Sequence, residues 1–232
     1  MYSLDTVEIL RMLQLCDSQF PVGSFNHSYG MENYLRTEKI NDAKSLNSWL
    51  KAFLKDSFAQ TDALAIRFVF EALEKNELEE IWTLDTWMAV QSIPRETRTG
   101  AKLVARRMCE LLLDLYDNDI LVEYQRKLKS KEAYGHPAIA FAIMMHSLEI
   151  PLKRAIMYHM YATVSTLVQN AVRTIPLGQK DGQVILKEFA DGFEQFYTYI
   201  ETLTEEDFGA NVPGIEMSQI KHETQIFRLF MS

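Results

Sequence analysis

Apolar residues recur at the i, i+3, i+4, i+7 spacing of a helix along nearly the whole chain, and the alternation of a half-buried strand hardly appears. That rhythm restricts the fold to helices packed on helices. Between Asn41 and Gln60, the residues Leu46, Trp49, Leu50, Phe53, Leu54 and Phe58 form one stripe, with Asp42 placed to cap the first turn. Leu103, Val104, Met108, Leu111, Leu112 and Leu115 form a second stripe beyond Pro94, and Ile185, Phe189, Phe193, Phe196, Ile200 and Leu203 a third beyond Gly182. The stretches from Pro137 to Leu148 and from Ala155 to Val168 are apolar nearly all round, which predicts central helices enclosed by the others. They do not read as membrane spans, because Glu149, Pro151, Lys153 and Arg154 separate them and leave no clean run of about 18 apolar residues. Punctuation by Pro21, Pro94, Gly135 with Pro137, Pro151, Pro176 and Pro213 divides the chain into about eight to ten helices. Without a Ser/Gly-rich linker or a fixed repeat, the expected fold is all-α, a single irregular helical bundle over residues 1–232.

Charge narrows the partners. The 24 basic and 32 acidic residues give a formal net charge of -8, spread without long like-charged runs. Sequence-independent binding to nucleic acid or to an anionic membrane needs a positive field, so neither is expected. Cys16 and Cys109 lie far apart with no CxxC pattern, which predicts reduced thiols in the cytoplasm and no structural zinc. MYSLDTVEILRML lacks a basic region followed by an uninterrupted apolar one, so no secretory signal is read there.

The motifs offer little chemistry. PVGSFNHSYG at 21–30 and PLGQKDGQ at 176–183 match neither phosphate-binding glycine pattern, and they read as tight turns, with helix resuming near Asn26 or Ser28 and running past Glu32. His222 and Glu223 open an HExxH pattern that fails at Ile226, which removes a zinc peptidase. His27, His136, His146 and His159 are scattered, and no GxSxG elbow is present. No catalytic residue, cofactor site or metal site is therefore assigned. In Pro94, Arg95, Glu96, Thr97 and Arg98, the two arginines read either as a solvated face or as an ion-pair latch to carboxylates of another helix or a partner. The terminal run KHETQIFRLFMS is apolar and aromatic, so it must fold back on its own core or enter a partner's groove.

Four segments together carry a family resemblance. LQLCDSQFPVGSFNHSYGMENYL contributes Pro21, Val22, Gly23, Phe25, Ser28, Gly30, Met31 and Glu32. PRETRTGAKL, followed by GHPAIAFAIMM, supplies an Arg-Glu-x-Arg helix start with Arg95, Glu96 and Arg98 and then a His-Pro lead-in to a buried helix. NAVRTIPLGQKDGQ brings Arg173, Pro176, Gly178 and Gln179, and HETQIFRLFMS brings His222, Glu223, Gln225, Arg228, Leu229, Phe230 and Ser232. From about Leu13 to Ser232 the chain resembles the urease accessory protein UreF family, departing from its pattern modestly at Ser24 and Met31.

The resemblance implies an all-helical, homodimeric cytoplasmic protein that is not itself an enzyme and that assists maturation of apo-urease, where nickel must be installed. It implies a complex with the scaffold UreH, also called UreD, and with the GTPase UreG, whose nucleotide state is coupled to nickel delivery. On this basis residues 213–232 are expected to be a partner-binding segment, with Arg228, Leu229 and Phe230 on the scaffold. The turns at Pro21 and Pro176 are expected to lie together and shape the dimer surface offered to UreG and apo-urease, with Glu32 and Arg173 making charged contacts. Two other readings stay open. One is a small helical enzyme built from Glu32, Arg95, Arg98 and His136, and the other is a nickel carrier using Cys16, His27 or His222 across a symmetric interface.

Overall fold

The computed structural model of the protein describes residues 6–210 and 212–231. Among these, twelve α-helices and no strand occur: α1 (Thr6–Leu15), α2 (Met31–Arg36), α3 (Ala43–Phe53), α4 (Leu64–Lys75), α5 (Leu78–Gln91), α6 (Arg95–Leu115), α7 (Asp119–Ser130), α8 (Pro137–Ser147), α9 (Leu152–Thr174), α10 (Gln179–Asp191), α11 (Phe193–Thr202) and α12 (Pro213–His222). The protein is an all-α bundle. A π-helical stretch, Leu54–Ala63, joins α3 to α4 without a break, so the separate rods number eleven, slightly more than the sequence rhythm predicts. Such wide turns are rare in helices, and over ten residues they rotate the side chains that follow relative to those before.

Local sequence explains most helix starts. The Asp42 carboxylate accepts from Ser45 N at 2.7 Å while Ser45 Oγ accepts from Asp42 N at 3.1 Å, the reciprocal cap expected for α3. Asn118 Oδ1 accepts from Leu121 N at 2.7 Å to open α7, and His136 Nδ1 accepts from Ala138 N at 3.3 Å to open α8 behind Pro137. The lead-in to α8 is fixed by buried Asp85, which accepts from Tyr134 N at 2.6 Å and Gly135 N at 3.0 Å and also holds the Tyr124 hydroxyl.

At the centre lies α8, buried from Ala138 through Met145 and flanked by α4, α6, α7 and α9. Each large side chain fully buried there contributes about 1.5–3 kcal/mol of apolar transfer free energy. The other expected central helix is enclosed on one side only. Ile156, Met160, Val164, Leu167 and Val168 of α9 pack inward against α4, α8 and α10, whereas Tyr161 faces out beside a groove of about 470 Å³ shared with Ile9 and Leu13 of α1. The apolar stripe beyond Gly182 is likewise two helices, α10 and α11, which meet at Gly192. The first glycine segment departs from expectation too. Ser24–Asn26 is a single 3₁₀ turn, and positive φ at Tyr29 (51°) and Gly30 (86°) bars a right-handed helix until Met31. Among the described residues no helix is long and apolar enough to cross a membrane.

Candidate functional site: the buried bridge under the C-terminal tail

Gly30 sets the geometry of the site. At its φ of +86° a side chain would be strained, and a Cβ there would stand 3.0 Å from both Ile215 O and Gln219 Cγ, so α12 can lie directly across the start of α2. Ser218 Oγ donates to Gly30 O at 2.6 Å and locks the crossing. In the first turn of α2, the Glu32 carboxylate is brought face to face with His222 at the end of α12.

Glu32 is buried and both of its oxygens are engaged. His222 Nε2 lies 2.9 Å from Oε2, Leu229 N donates to Oε1 at 2.8 Å, and Phe230 N donates to Oε2 at 3.1 Å. The other ring nitrogen of His222, Nδ1, lies 2.9 Å from Glu96 Oε2 on α6, and Glu96 Oε1 accepts from the Arg228 guanidinium. Burial opposes ionisation of Glu96, but the hydrogen bonds from His222 and Arg228 outweigh it and hold the carboxyl below its ordinary value of 4.5. Glu223 Oε1 accepts from Arg95 N at 2.6 Å and Glu96 N at 3.3 Å, capping the otherwise uncapped start of α6. Arg228 returns to Glu223 O at 2.6 Å and Gln225 O at 3.0 Å, Arg36 donates to Phe227 O, and Met231 N donates to Asn26 O at 2.7 Å.

The tail is thus pinned through its backbone while its apolar side chains face outward. Ile226, Phe227, Leu229 and Met231 are 90%, 79%, 68% and 56% exposed, and Met217 and Ile220 on α12 are exposed as well. Of the two expectations for the tail, the chain folds back on its own body, but it does so through its backbone and not through its apolar side chains. Ser232 lies outside the described residues.

The remaining expected site residues fall into two groups. Gly23, at φ +86°, passes close to Arg107, and the Phe25 ring lies 4.6 Å beneath the Arg173 guanidinium at the end of α9, so Arg173 is already engaged within the chain. Asn170 Nδ2 donates to Phe25 O at 3.1 Å, which seats the Pro21 turn against the part of α9 from which Pro176, Gly178 and Gln179 depart. Pro21, Pro176, Gly178 and Gln179 are exposed there, whereas Ser28 is buried. In the Pro94 segment the latch has the opposite sign to the one read from the arginines. Arg98 donates to the Ser92 and Ile93 carbonyls at 2.6 and 2.8 Å, Arg95 is exposed, and Glu96 is the group that makes the long-range ion pair.

Of Glu32, Arg95, Arg98 and His136, only Arg98 and His136 share a cavity, one of about 230 Å³, and the four do not converge on one site. His136 lines a separate cavity of about 90 Å³ with Asp62 and Thr163, where Asp62 Oδ1 meets His159 Nε2 at 3.0 Å. Sequence reasoning missed this pair and Asp85, because their partners come from helices remote in the chain. Of the nickel-carrier residues, His222 has a carboxylate at each nitrogen, His27 is buried over Gly100 within electrostatic reach of His222, and burial pushes the Cys16 thiol up to about 12. No group of three or more metal-binding side chains occurs among the described residues.

The molecule is an all-helical bundle whose buried polar groups hold its own tail in place and whose apolar edge is turned outward. The UreF family model matches residues 40–190. The chain is 43% identical over 224 residues to the urease accessory protein UreF of Lachnoclostridium phytofermentans, covering 97% of this chain and 98% of that one. It is 42% identical over 226 residues to the protein of the same name from Streptococcus salivarius, covering 97% and 95%. The chain belongs to the UreF family of urease accessory proteins.

Proposed function

We propose that the protein is a non-catalytic adaptor in the maturation of urease, acting in the cytoplasm as a homodimer that joins the scaffold UreH/UreD to the GTPase UreG and so regulates GTP-dependent nickel insertion into apo-urease. The observation that carries this reading is the tail: Phe227, Leu229 and Met231 project from a backbone already tied down at Glu32, Arg36 and Asn26. Ordering the chain before binding removes an entropic cost that a flexible tail would meet on association, and exposed aromatic and aliphatic anchors of this kind dominate interface energies. The scaffold is assigned to this surface. The Pro21 and Pro176 turns, brought side by side through Phe25 and Arg173, are assigned to the face offered to UreG and apo-urease.

Regulation of the GTPase follows as differential binding. A surface that prefers one nucleotide state of UreG shifts its population toward that state, and linkage requires that state to bind this protein more tightly in return. Size-exclusion chromatography with light scattering tests the assembly. The full chain is expected to form a defined complex with UreH/UreD, and the Phe227→Ser, Leu229→Ser variant, which alters only exposed side chains, is expected to elute apart from it. Co-elution of that variant with the scaffold at wild-type stoichiometry and affinity would remove the tail from the interface.

A further inference from the structure

The imidazole of His222 stands between two carboxylates, and each of its nitrogens is 2.9 Å from a carboxylate oxygen. An ionised carboxylate only accepts, and a neutral imidazole has one N–H, so both contacts can be hydrogen bonds only if the bridge holds two protons. The groups facing it from every neighbouring element are Glu32 on α2, Glu96 on α6, Arg228 on the tail and His27 on the turn before α2. His27 is held below its ordinary value of 6.5 first by burial, then by Arg107 and by His222 itself. With both protons present, two carboxylates are matched by an imidazolium and a guanidinium. With one proton gone, a ring lone pair faces an acceptor oxygen inside the protein, an arrangement that must open.

We propose that His222 is the positioning residue of the tail, a proton-dependent latch that fixes Glu32 and Glu96 and, through them, the backbone of Leu229 and Phe230 and the side chain of Arg228. This rests on the reading of the tail as the partner surface. Loss of the second proton opens the Glu96 contact first, because the Glu96 side chain is 19% exposed and can turn to water, whereas that of Glu32 is 1% exposed; Arg228 goes with Glu96, and the Leu229 and Phe230 amides are left held by Glu32 alone. The tail is therefore docked when the bridge carries both protons and loosened as pH rises. A partner that needs the docked tail binds more weakly on the alkaline side.

Hydrogen exchange of the full chain, corrected for the intrinsic pH dependence of exchange and referenced to amides of α8, tests the latch. Protection at Leu229 and Phe230 is expected to fall at least about tenfold between about pH 6 and about pH 9 while α8 stays protected. Glu96→Gln supplies a neutral donor to the unprotonated nitrogen and an acceptor for Arg228, so its tail is expected to remain protected at both pH values. His222→Gln is expected to be poorly protected at both. Equal protection of the wild-type tail at the two pH values overturns the latch, as does a wild-type fall in Glu96→Gln. Folding failure of His222→Gln leaves these two results decisive. Scaffold binding separates the latch from the adaptor reading: affinity that ignores Phe227 and Leu229 defeats the adaptor surface, while a pH-independent tail defeats the latch alone.

Discussion

Helix α8 and the C-terminal tail are both rich in large apolar residues, yet they are held in opposite ways. From Ala138 to Met145 every side chain of α8 is buried, and the helix is fixed by non-directional apolar contact with the helices around it. In the tail, Ile226, Phe227, Leu229 and Met231 face water, and what fixes the segment is a buried polar network that binds its backbone. Apolar burial tolerates changes of shape and gives a permanent interior. A polar bridge demands full satisfaction of every member, and in return it sets direction and can be undone by changing one charge.

The largest expected effect sharpens this contrast. Glu32→Ala leaves an imidazole and two backbone N–H groups without their acceptor, and should cost about 3–5 kcal/mol in urea denaturation, with exchange at Leu229 and Phe230 becoming fast. A loss confined to a few tenths would mean that the network is not holding the tail. Next comes the core: Ile143→Ala should cost about 2–5 kcal/mol through the cavity it leaves, yet the folded fraction should bind the scaffold as before. Reduced affinity per folded molecule would break the separation between the two regions. Phe227→Ala and Leu229→Ala should reverse the pattern, each leaving stability within about 0.5 kcal/mol while weakening the scaffold complex about tenfold or more, read by titration calorimetry.

The smallest effect is that of pH on the interior. Burial holds His136 below the ordinary histidine value of 6.5, as it does His27, so the unfolded chain binds protons more readily than the folded one. Stability should therefore decline as pH falls from about 7 to about 5, the sense opposite to the alkaline loosening of the tail. The depressed carboxyl of Glu96 adds stability above its ordinary 4.5 that is lost as pH falls through its lower folded value. Urea midpoints that stay level between pH 7 and 5 would show that neither histidine is held neutral.

Much of the core could be read from the chain because its causes are local. The Asp42 cap, the Leu46 to Phe58 stripe and the unbroken apolar run of α8 each declare themselves within a few turns of helix. The site could not be read in that way. Glu32 meets His222 and Leu229 across 190 and 197 positions of sequence, and no periodic pattern connects them. His222 and Glu223 stood out only as a failed zinc motif, though one bridges α2 and α6 and the other caps the start of α6. The arginines beside Pro94 drew attention to charge there, but only packing could show that Glu96 between them is the ion-pairing group. The α9 surface misled for a related reason: apolar composition all round predicts full enclosure, and here α1 covers only part of it.

The π-helical stretch between α3 and α4 has a consequence for the phase of the whole rod. Successive residues of an α-helix are rotated by about 100°, so the wider turns across Leu54–Ala63 change the bearing of everything that follows relative to everything before. Upstream of it, Leu46, Trp49, Leu50 and Phe53 look toward α10 and the aromatic rings of Tyr29 and Tyr34; downstream, Leu64, Ile66, Val69 and Phe70 look toward α5, α8 and α9. One rod thereby serves two layers of the bundle. Removing a single residue between 54 and 63 would keep its helicity and misdirect half of its side chains, a failure of aim rather than of folding propensity.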